Sequence, residues 1–143
     1  MEVRKVECVF SAESVTVADA TFRTPDDVVN LLRNEILKFP DEHGFIVMVN
    51  AKNRMLHYED MSHGGLTSCL TAPRNVFRSA IIFNAASLLF AHNHPSGDPT
   101  PSSEDIALAI RLKDAGELLG IRLLDSIVIA SSGFISLKAR GII

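Results

Sequence analysis

The spacing of apolar residues changes along the chain, and the changes predict alternating strands and helices. Residues 3–17 mix β-branched residues with charged ones and predict one or two strands. A helix is predicted next, because Thr24 suits an N-cap, Pro25 suits the first helical position, and Pro40 ends the pattern. The apolar residues of this segment share one helical face: Val28, Leu31, Leu32, Ile36 and Phe39.

The middle of the chain predicts a hairpin, a helix and a short buried strand. Residues 45–49 are almost all apolar, which is typical of an interior strand covered on both faces. Lys52 and Asn53 form a turn into residues 54–59, a more polar strand that we expect near an edge. Residues 73–84 have helical spacing, and residues 87–91 form a short apolar strand.

The last third of the chain predicts a loop, a long helix and two strands. Residues 92–101 are rich in breakers and predict a loop, and residues 102–119 predict a helix closed by Gly120. Its apolar positions are Ile106, Ala109, Ile110, Leu112, Leu118 and Leu119. Strands follow at 123–130 and 134–137. The element order predicts an α/β (α+β) fold with a mixed β-sheet flanked by helices, in one domain over residues 1–143.

Composition and charge exclude several classes of protein. Of the 143 residues, 47% are hydrophobic and 22% charged, as in globular domains, and no apolar run approaches a membrane span. The first residues lack the apolar core of a secretory signal, so we expect a cytoplasmic protein in which Cys8 and Cys69 are reduced. The net charge of −3 argues against a broad DNA-binding surface, although four basic residues allow a local patch: Arg74, Arg78, Lys138 and Arg140.

The segment 92–105 contains the residues with the clearest chemistry. His92 and His94 lie two apart at a strand end, so both imidazoles point to the same face. Asp105 lies in the first turn of the next helix, and the Pro- and Gly-rich loop can bring that turn back over the strand end. Two imidazoles and one carboxylate leave one position of a tetrahedral zinc open, which is typical of a catalytic site.

A structural interpretation of the same residues also applies. Ser102 can be an N-cap and Asp105 an acid at the third helical position, which together make a weak capping box. Capping leaves His92 and His94 unexplained. The two interpretations are compatible, because a capping bond would hold the carboxylate in place.

The pattern from His92 to Asp105, His-x-His-Pro followed by Ser-x-x-Asp, resembles the JAMM signature of the JAB/MPN metalloprotease-like superfamily. Its full form resembles the RadC-like JAB domains of bacteria. Four further segments are similar to that family: 42–50, 52–54, 73–77 and 119–125. The chain departs from the family at Thr71, Ala72, Asn75 and Ser126, and we expect no N-terminal helix-hairpin-helix region.

The resemblance implies a JAB fold, which is related to the cytidine deaminase fold, and it implies a role for each site residue. The zinc ligands would be His92, His94 and Asp105. The general acid/base would be Glu42, and Ser102 would support the transition state. Without the resemblance, Glu42 would be interpreted as an ordinary solvated acid in a loop.

The leading functional hypothesis is therefore a zinc-dependent hydrolase of amide or isopeptide bonds that acts on a protein or peptide-like substrate. The alternative is a nucleic-acid-associated protein of the DNA repair type that binds or processes DNA. A metal-free interaction module is a third hypothesis, and a zinc deaminase is disfavoured because the chain lacks a Pro-Cys-x-x-Cys pair. We also expect the segment 59–70, with its Gly64-Gly65 pair, to cover the site as a lid or as a plain surface connection.

Overall fold

The computed structural model describes residues 20–61 and 72–143, which contain three helices and five strands. The predicted strands in 3–17, both cysteines, and residues 62–70 of the predicted lid lie outside the described residues. In chain order the elements are α1 (Pro25–Ile36), β1 (Gly44–Val49), β2 (Met55–Asp60), α2 (Pro73–Ile82), β3 (Ser87–Asn93), α3 (Ser103–Leu119), β4 (Arg122–Ala130) and β5 (Gly133–Ser136).

The five strands form one mixed sheet in the order β2-β1-β3-β4-β5. Only β3 and β4 run parallel among these strands, and α3 provides the crossover between them. The predicted α+β architecture is confirmed, with the polar strand β2 at an edge and the apolar strand β1 in the interior.

Each face of the sheet is covered by helices. Helix α1 packs on one face, where alternate residues such as Val47, Leu89 and Ile127 form a single cluster with it. Helices α2 and α3 cover the opposite face, where Ile46 and Phe90 lie in the core. Because β1 and β3 are buried on both faces, residues 45–49 of β1 and 88–91 of β3 are continuously apolar instead of alternating.

Helix α1 begins as predicted but ends earlier. Thr24 and Asp27 form a capping box, in which the Asp27 carboxylate accepts bonds of 2.8 Å from the backbone N–H groups of Arg23 and Thr24. The prediction that the helix would continue through Phe39 was wrong. Pro40 has no N–H to bond the carbonyl of Ile36 and disfavours helical backbone at Phe39, so the helix does not continue through Phe39, and its last residue is Ile36.

The buried face of α3 agrees with the predicted one only in part, because Ala109 and Leu112 were predicted and Gly116 was not. Ala109, Leu112 and Gly116 are buried, whereas the predicted apolar positions Ile110, Leu118 and Leu119 are 43%, 88% and 48% exposed. The helix approaches the sheet along the side that contains Gly116, where a Cβ atom would overlap the carbonyl oxygen of the residue that precedes β4. The predicted C-cap at Gly120 is confirmed by its left-handed φ of 72°.

Two further boundaries differ near the predicted site. Strand β3 continues through Asn93, two residues beyond the predicted end, because His92 and Asn93 still pair with Val128 and Ile129 of β4. Glu59 and Asp60 belong to β2, so the predicted lid cannot begin at residue 59.

None of the helices in 20–61 and 72–143 combines the length and the apolar character that crossing a membrane requires.

Candidate metal centre

Two histidines meet at the C-terminal end of β3. His92 is the sixth residue of the strand, and His94 stays in line with it because its backbone N–H donates to the Ile129 carbonyl at 2.9 Å. Strand alternation places both rings on one face, as predicted from their spacing, and the structure shows that this face is the one covered by α2 and α3. The two Nε2 atoms are 3.2 Å apart, and the His92 side chain is almost completely buried.

Asp105 brings a carboxylate to the same point from the first turn of α3. Its Oδ1 lies 3.1 Å from His92 Nε2, and its Oδ2 lies 3.1 Å from His94 Nε2. The three side chains are close enough together to bind a metal ion. The residues that the sequence singled out as ligands are therefore assembled at one site.

The Asp105 carboxylate also caps the helix that carries it. Its Oδ2 accepts a bond of 2.7 Å from the Ser102 backbone N–H, and Ser102 Oγ accepts one of 3.1 Å from the Asp105 N–H. The predicted capping box is thus present and compatible with a ligand role. Burial raises the pKa of the Asp105 carboxyl, but the bonds and charge from His92 and the Ser102 N–H outweigh burial and hold that pKa well below its usual range.

The loop after β3 fixes the orientation of one imidazole. His94 Nδ1 lies 2.9 Å from the Asp98 carbonyl oxygen, which can only accept, so this contact favours the tautomer of the neutral imidazole that has its proton on Nδ1 and its lone pair on Nε2, the form that a metal ligand needs. Sequence reasoning missed this contact, because any residue can provide a backbone carbonyl. The Asp98 carboxylate instead accepts bonds from the N–H and hydroxyl of Thr100, which lower its pKa.

The second imidazole is held differently. His92 Nδ1 is buried and has no hydrogen-bond partner within the part of the chain that the structure describes. Its ring packs near Phe90, with centroids 5.8 Å apart. At Nδ1, His92 is therefore surrounded by packing alone, whereas a hydrogen bond to the Asp98 carbonyl holds Nδ1 of His94.

Glu42 reaches the site through the pairing of β1 with β3. Gly44 lies opposite His92 in this antiparallel ladder, and the same register continued by two residues places Glu42 opposite His94. Glu42 Oε1 lies 3.8 Å from His94 Nε2, and its side chain is half exposed. The structure thus brings Glu42 to the edge of the group formed by His92, His94 and Asp105.

Two buried residues behind the site were not identified from the sequence. Asn93 lies on the α1 face of the sheet, where its Oδ1 accepts a bond of 2.5 Å from the His43 N–H and its Nδ2 donates to the Asp41 carbonyl at 3.0 Å. The His43 ring stacks on Phe39 with centroids 3.6 Å apart, and its Nδ1 lies 3.0 Å from an oxygen of Asp60. Alternation could have placed Asn93 on the far face, but its partners depend on strand register.

The basic residues of the predicted patch lie on two separate elements. Arg74 and Arg78 are exposed on α2, and Lys138 and Arg140 are exposed just after β5. Their exposure is that expected of solvated surface charges, and nucleic-acid binding through them stays a prediction.

Comparison with known proteins identifies the family. A model of the RadC-like JAB domain matches residues 22–142, which is most of the chain. The chain belongs to the RadC-like JAB family. The resemblance carried by residues 92–105 is thereby confirmed, and the mixed sheet with three helices is consistent with a JAB/MPN-like fold.

Curated relatives of this RadC-like JAB domain carry the name UPF0758 protein. The relative from Clostridium novyi is 47% identical over 121 residues, which is 85% of this chain and 53% of the relative. The relative from Listeria monocytogenes is 42% identical over 138 residues, which is 96% of this chain and 59% of the relative. The chain therefore spans little more than half the length of these relatives.

Proposed function

We propose that this RadC-like JAB domain is a zinc-dependent hydrolase of amide or isopeptide bonds in a protein or peptide-like substrate. The observation that carries the proposal is the arrangement of Glu42 beside the group of His92, His94 and Asp105. One residue able to transfer a proton thus lies next to three metal-binding side chains.

The donor atoms fit zinc in type and in spacing. Two imidazole nitrogens and one carboxylate oxygen are common zinc donors, and the donors of a tetrahedral ion with bonds of about 2.0–2.1 Å lie roughly 3.3–3.4 Å apart. The donor separations at this site are 3.1 and 3.2 Å. Zinc held by His92, His94 and Asp105 would act as a Lewis acid and would lower the pKa of a coordinating water to about 7.

The surrounding residues support a reaction at a carbonyl group. Glu42 would accept a proton from the attacking water and deliver it to the leaving amine, since its half-exposed carboxylate can reach both solvent and substrate. The Ser102 oxygen accepts from the Asp105 N–H, which leaves its hydroxyl proton free to donate to the oxyanion.

A site for a single ion favours this reaction over phosphodiester hydrolysis, which often uses two metals bridged by several carboxylates. Two other acids lie in the segment 92–105, and neither is placed to bridge a second ion. Asp98 is bonded to Thr100, and Glu104 is exposed on the first turn of α3.

The test is to incubate zinc-loaded protein with a peptide and isopeptide library and to follow product formation. Glu42→Gln should retain stoichiometric zinc, measured by elemental analysis, and lose turnover by about 100-fold or more, because an amide cannot relay a proton. Glu104→Gln makes the same chemical change on an exposed neighbour and should retain full turnover.

The same protein should be incubated separately with single-stranded and branched DNA. Metal-dependent DNA cleavage that disappears in His94→Ala, with no peptide product, would replace this proposal with the nucleic-acid alternative. Full turnover by Glu42→Gln would refute the role given to Glu42 even if peptides are cleaved.

A further inference from the structure

His92 and Asn93 at the end of β3, and His94 directly after it, send consecutive side chains to opposite faces of the sheet. His92 and His94 point to the face of α2 and α3, where they meet Asp105. Asn93, which is 1% exposed, points to the face of α1 and contacts the segment that connects α1 to β1. That segment contains Glu42.

The bonds of Asn93 flank Glu42 on both sides. Its Nδ2 donates to the carbonyl of Asp41, and its Oδ1 accepts from the N–H of His43, so one amide group fixes the residue before Glu42 and the residue after it. The Asn93 backbone N–H also donates to the His43 carbonyl at 3.2 Å. Because these partners are backbone atoms, the bonds set the path of the chain and not the position of one side chain.

The position of Glu42 depends on that path. Its side chain is half exposed and does not pack into the core, so the direction of its Cα–Cβ bond decides whether the carboxylate faces His94. His43 stacks on Phe39 and turns toward the α1 face, and by alternation Glu42 must turn to the metal-binding face. A buried bond on one face of the sheet thereby determines the placement of an acid on the other.

We propose that Asn93 is a positioning residue that holds Glu42 beside the metal-binding group through its bonds to Asp41 and His43. This inference rests on the proposed function, because it assigns Glu42 the task of proton transfer. It predicts that Asn93 acts on the location of Glu42 and leaves the affinity for metal intact.

The first experiment measures the location of Glu42 without any substrate. Protein labelled with ¹³C at glutamate carboxyls is loaded with Co²⁺, and the Glu42 resonance is assigned by its loss in Glu42→Gln. In the wild-type protein this resonance should show a large paramagnetic shift, which should shrink in Asn93→Ala. Asn93→Asp should also reduce the shift, because the carboxylate that replaces the Asn93 donor repels the Asp41 carbonyl. This variant has nearly the same shape as the wild type, so it tests the role of Asn93 even if the alanine variant does not fold.

The matched control is Ser136→Ala on β5. The Ser136 hydroxyl is buried and donates to the Asp125 carboxylate at 2.5 Å, so its loss also removes a buried hydrogen bond, at the far edge strand. Ser136→Ala should keep the full paramagnetic shift. Exchange of the His43 amide hydrogen should be about tenfold faster in Asn93→Ala than in Ser136→Ala, as expected from the loss of one buried bond.

A kinetic test separates positioning from general stability. With a peptide cleaved by the wild-type protein, Asn93→Ala should lower kcat about 10–100-fold with little change in KM, and it should cause no further loss in the Glu42→Gln background. Equal losses in both backgrounds would overturn the inference, as would an unchanged paramagnetic shift of Glu42 in both Asn93 variants. A wild-type protein that takes up no Co²⁺ would instead overturn the proposed function, and this inference with it.

Discussion

Asp105 has two structural roles, and replacing it with alanine tests both. One carboxylate oxygen meets His92, and the other meets His94 and the N–H group of Ser102. Asp27 holds the corresponding position in the capping box of α1, far along the chain from the histidines. Asp105→Ala and Asp27→Ala both remove a capping carboxylate, and only the first also removes a predicted metal ligand.

The expected magnitudes follow from these contacts. Loss of the cap in Asp105→Ala should cost about 1 kcal/mol in the free energy of unfolding. For the wild-type protein, zinc at about 100 times its Kd should add about 2.7 kcal/mol, which raises Tm by roughly 8–10 °C in a domain of this size. Loss of a residue that hydrogen-bonds to a metal ligand weakens metal affinity about 10–100-fold in other proteins. Loss of a direct ligand should therefore weaken it about 100-fold or more.

The same zinc concentration is then close to the Kd of Asp105→Ala for zinc. It should add only about 0.4 kcal/mol, a rise in Tm of about 1–2 °C. Thermal melts with and without zinc measure the difference, and chelator competition gives Kd directly. Asp27→Ala should keep the full zinc-dependent rise. A full rise in Asp105→Ala, or its loss in Asp27→Ala, would refute the assignment of Asp105 as a ligand.

Three further predictions concern the packing and the caps of the helices. Gly116→Ala should lower the free energy of unfolding by about 1–3 kcal/mol in urea melts, because the added Cβ would overlap backbone atoms. This loss should outweigh the higher helix propensity of alanine. A stabilised variant would contradict the packing of α3. In the same assay Ser102→Ala should lower the free energy of unfolding by about 1 kcal/mol and Ser102→Thr by much less, because only the hydroxyl caps the Asp105 N–H. Equal losses in the two variants would show that the cap contributes nothing. Backbone bonds from Arg23 and Thr24 lower the pKa of Asp27 below 3.8. The loss of stability in Asp27→Ala should therefore be full above pH 3.8 and should vanish as the pH falls through the folded-state pKa. A loss of stability that does not depend on pH would argue against this capping bond.

Local signals in the sequence predicted most of the elements. Thr24, Ser102 and Gly120 lie at helix ends where the structure places caps, and a cap depends on residues within one helical turn. The spacing of His92 and His94 predicted a common face, since alternation along a strand is also local. Three of the four main site residues were therefore accessible from one stretch of chain.

Features that depend on strand pairing were not accessible in the same way. The placement of Glu42 beside His94 follows from the register of β1 against β3, and only the family resemblance predicted it. The contact of His94 with the Asp98 carbonyl involves a backbone atom, which has no signature in the sequence. The exposed Leu118 and Leu119 show the same limit, because the side of α3 that packs is decided by the close approach at Gly116.

The alternation of residues 92–94 has a consequence for how such a domain can change. The three predicted metal ligands lie in the layer with α2 and α3, whereas the contacts of Asn93 lie in the layer with α1. The sheet separates the two sets of side chains, so substitutions in the α1 layer reach the site through the segment that carries Glu42 and not through His92, His94 or Asp105. Metal affinity and the placement of Glu42 can therefore be altered one at a time, and random libraries confined to residues 37–41, which precede Glu42, should yield variants that differ in turnover while their metal content stays constant.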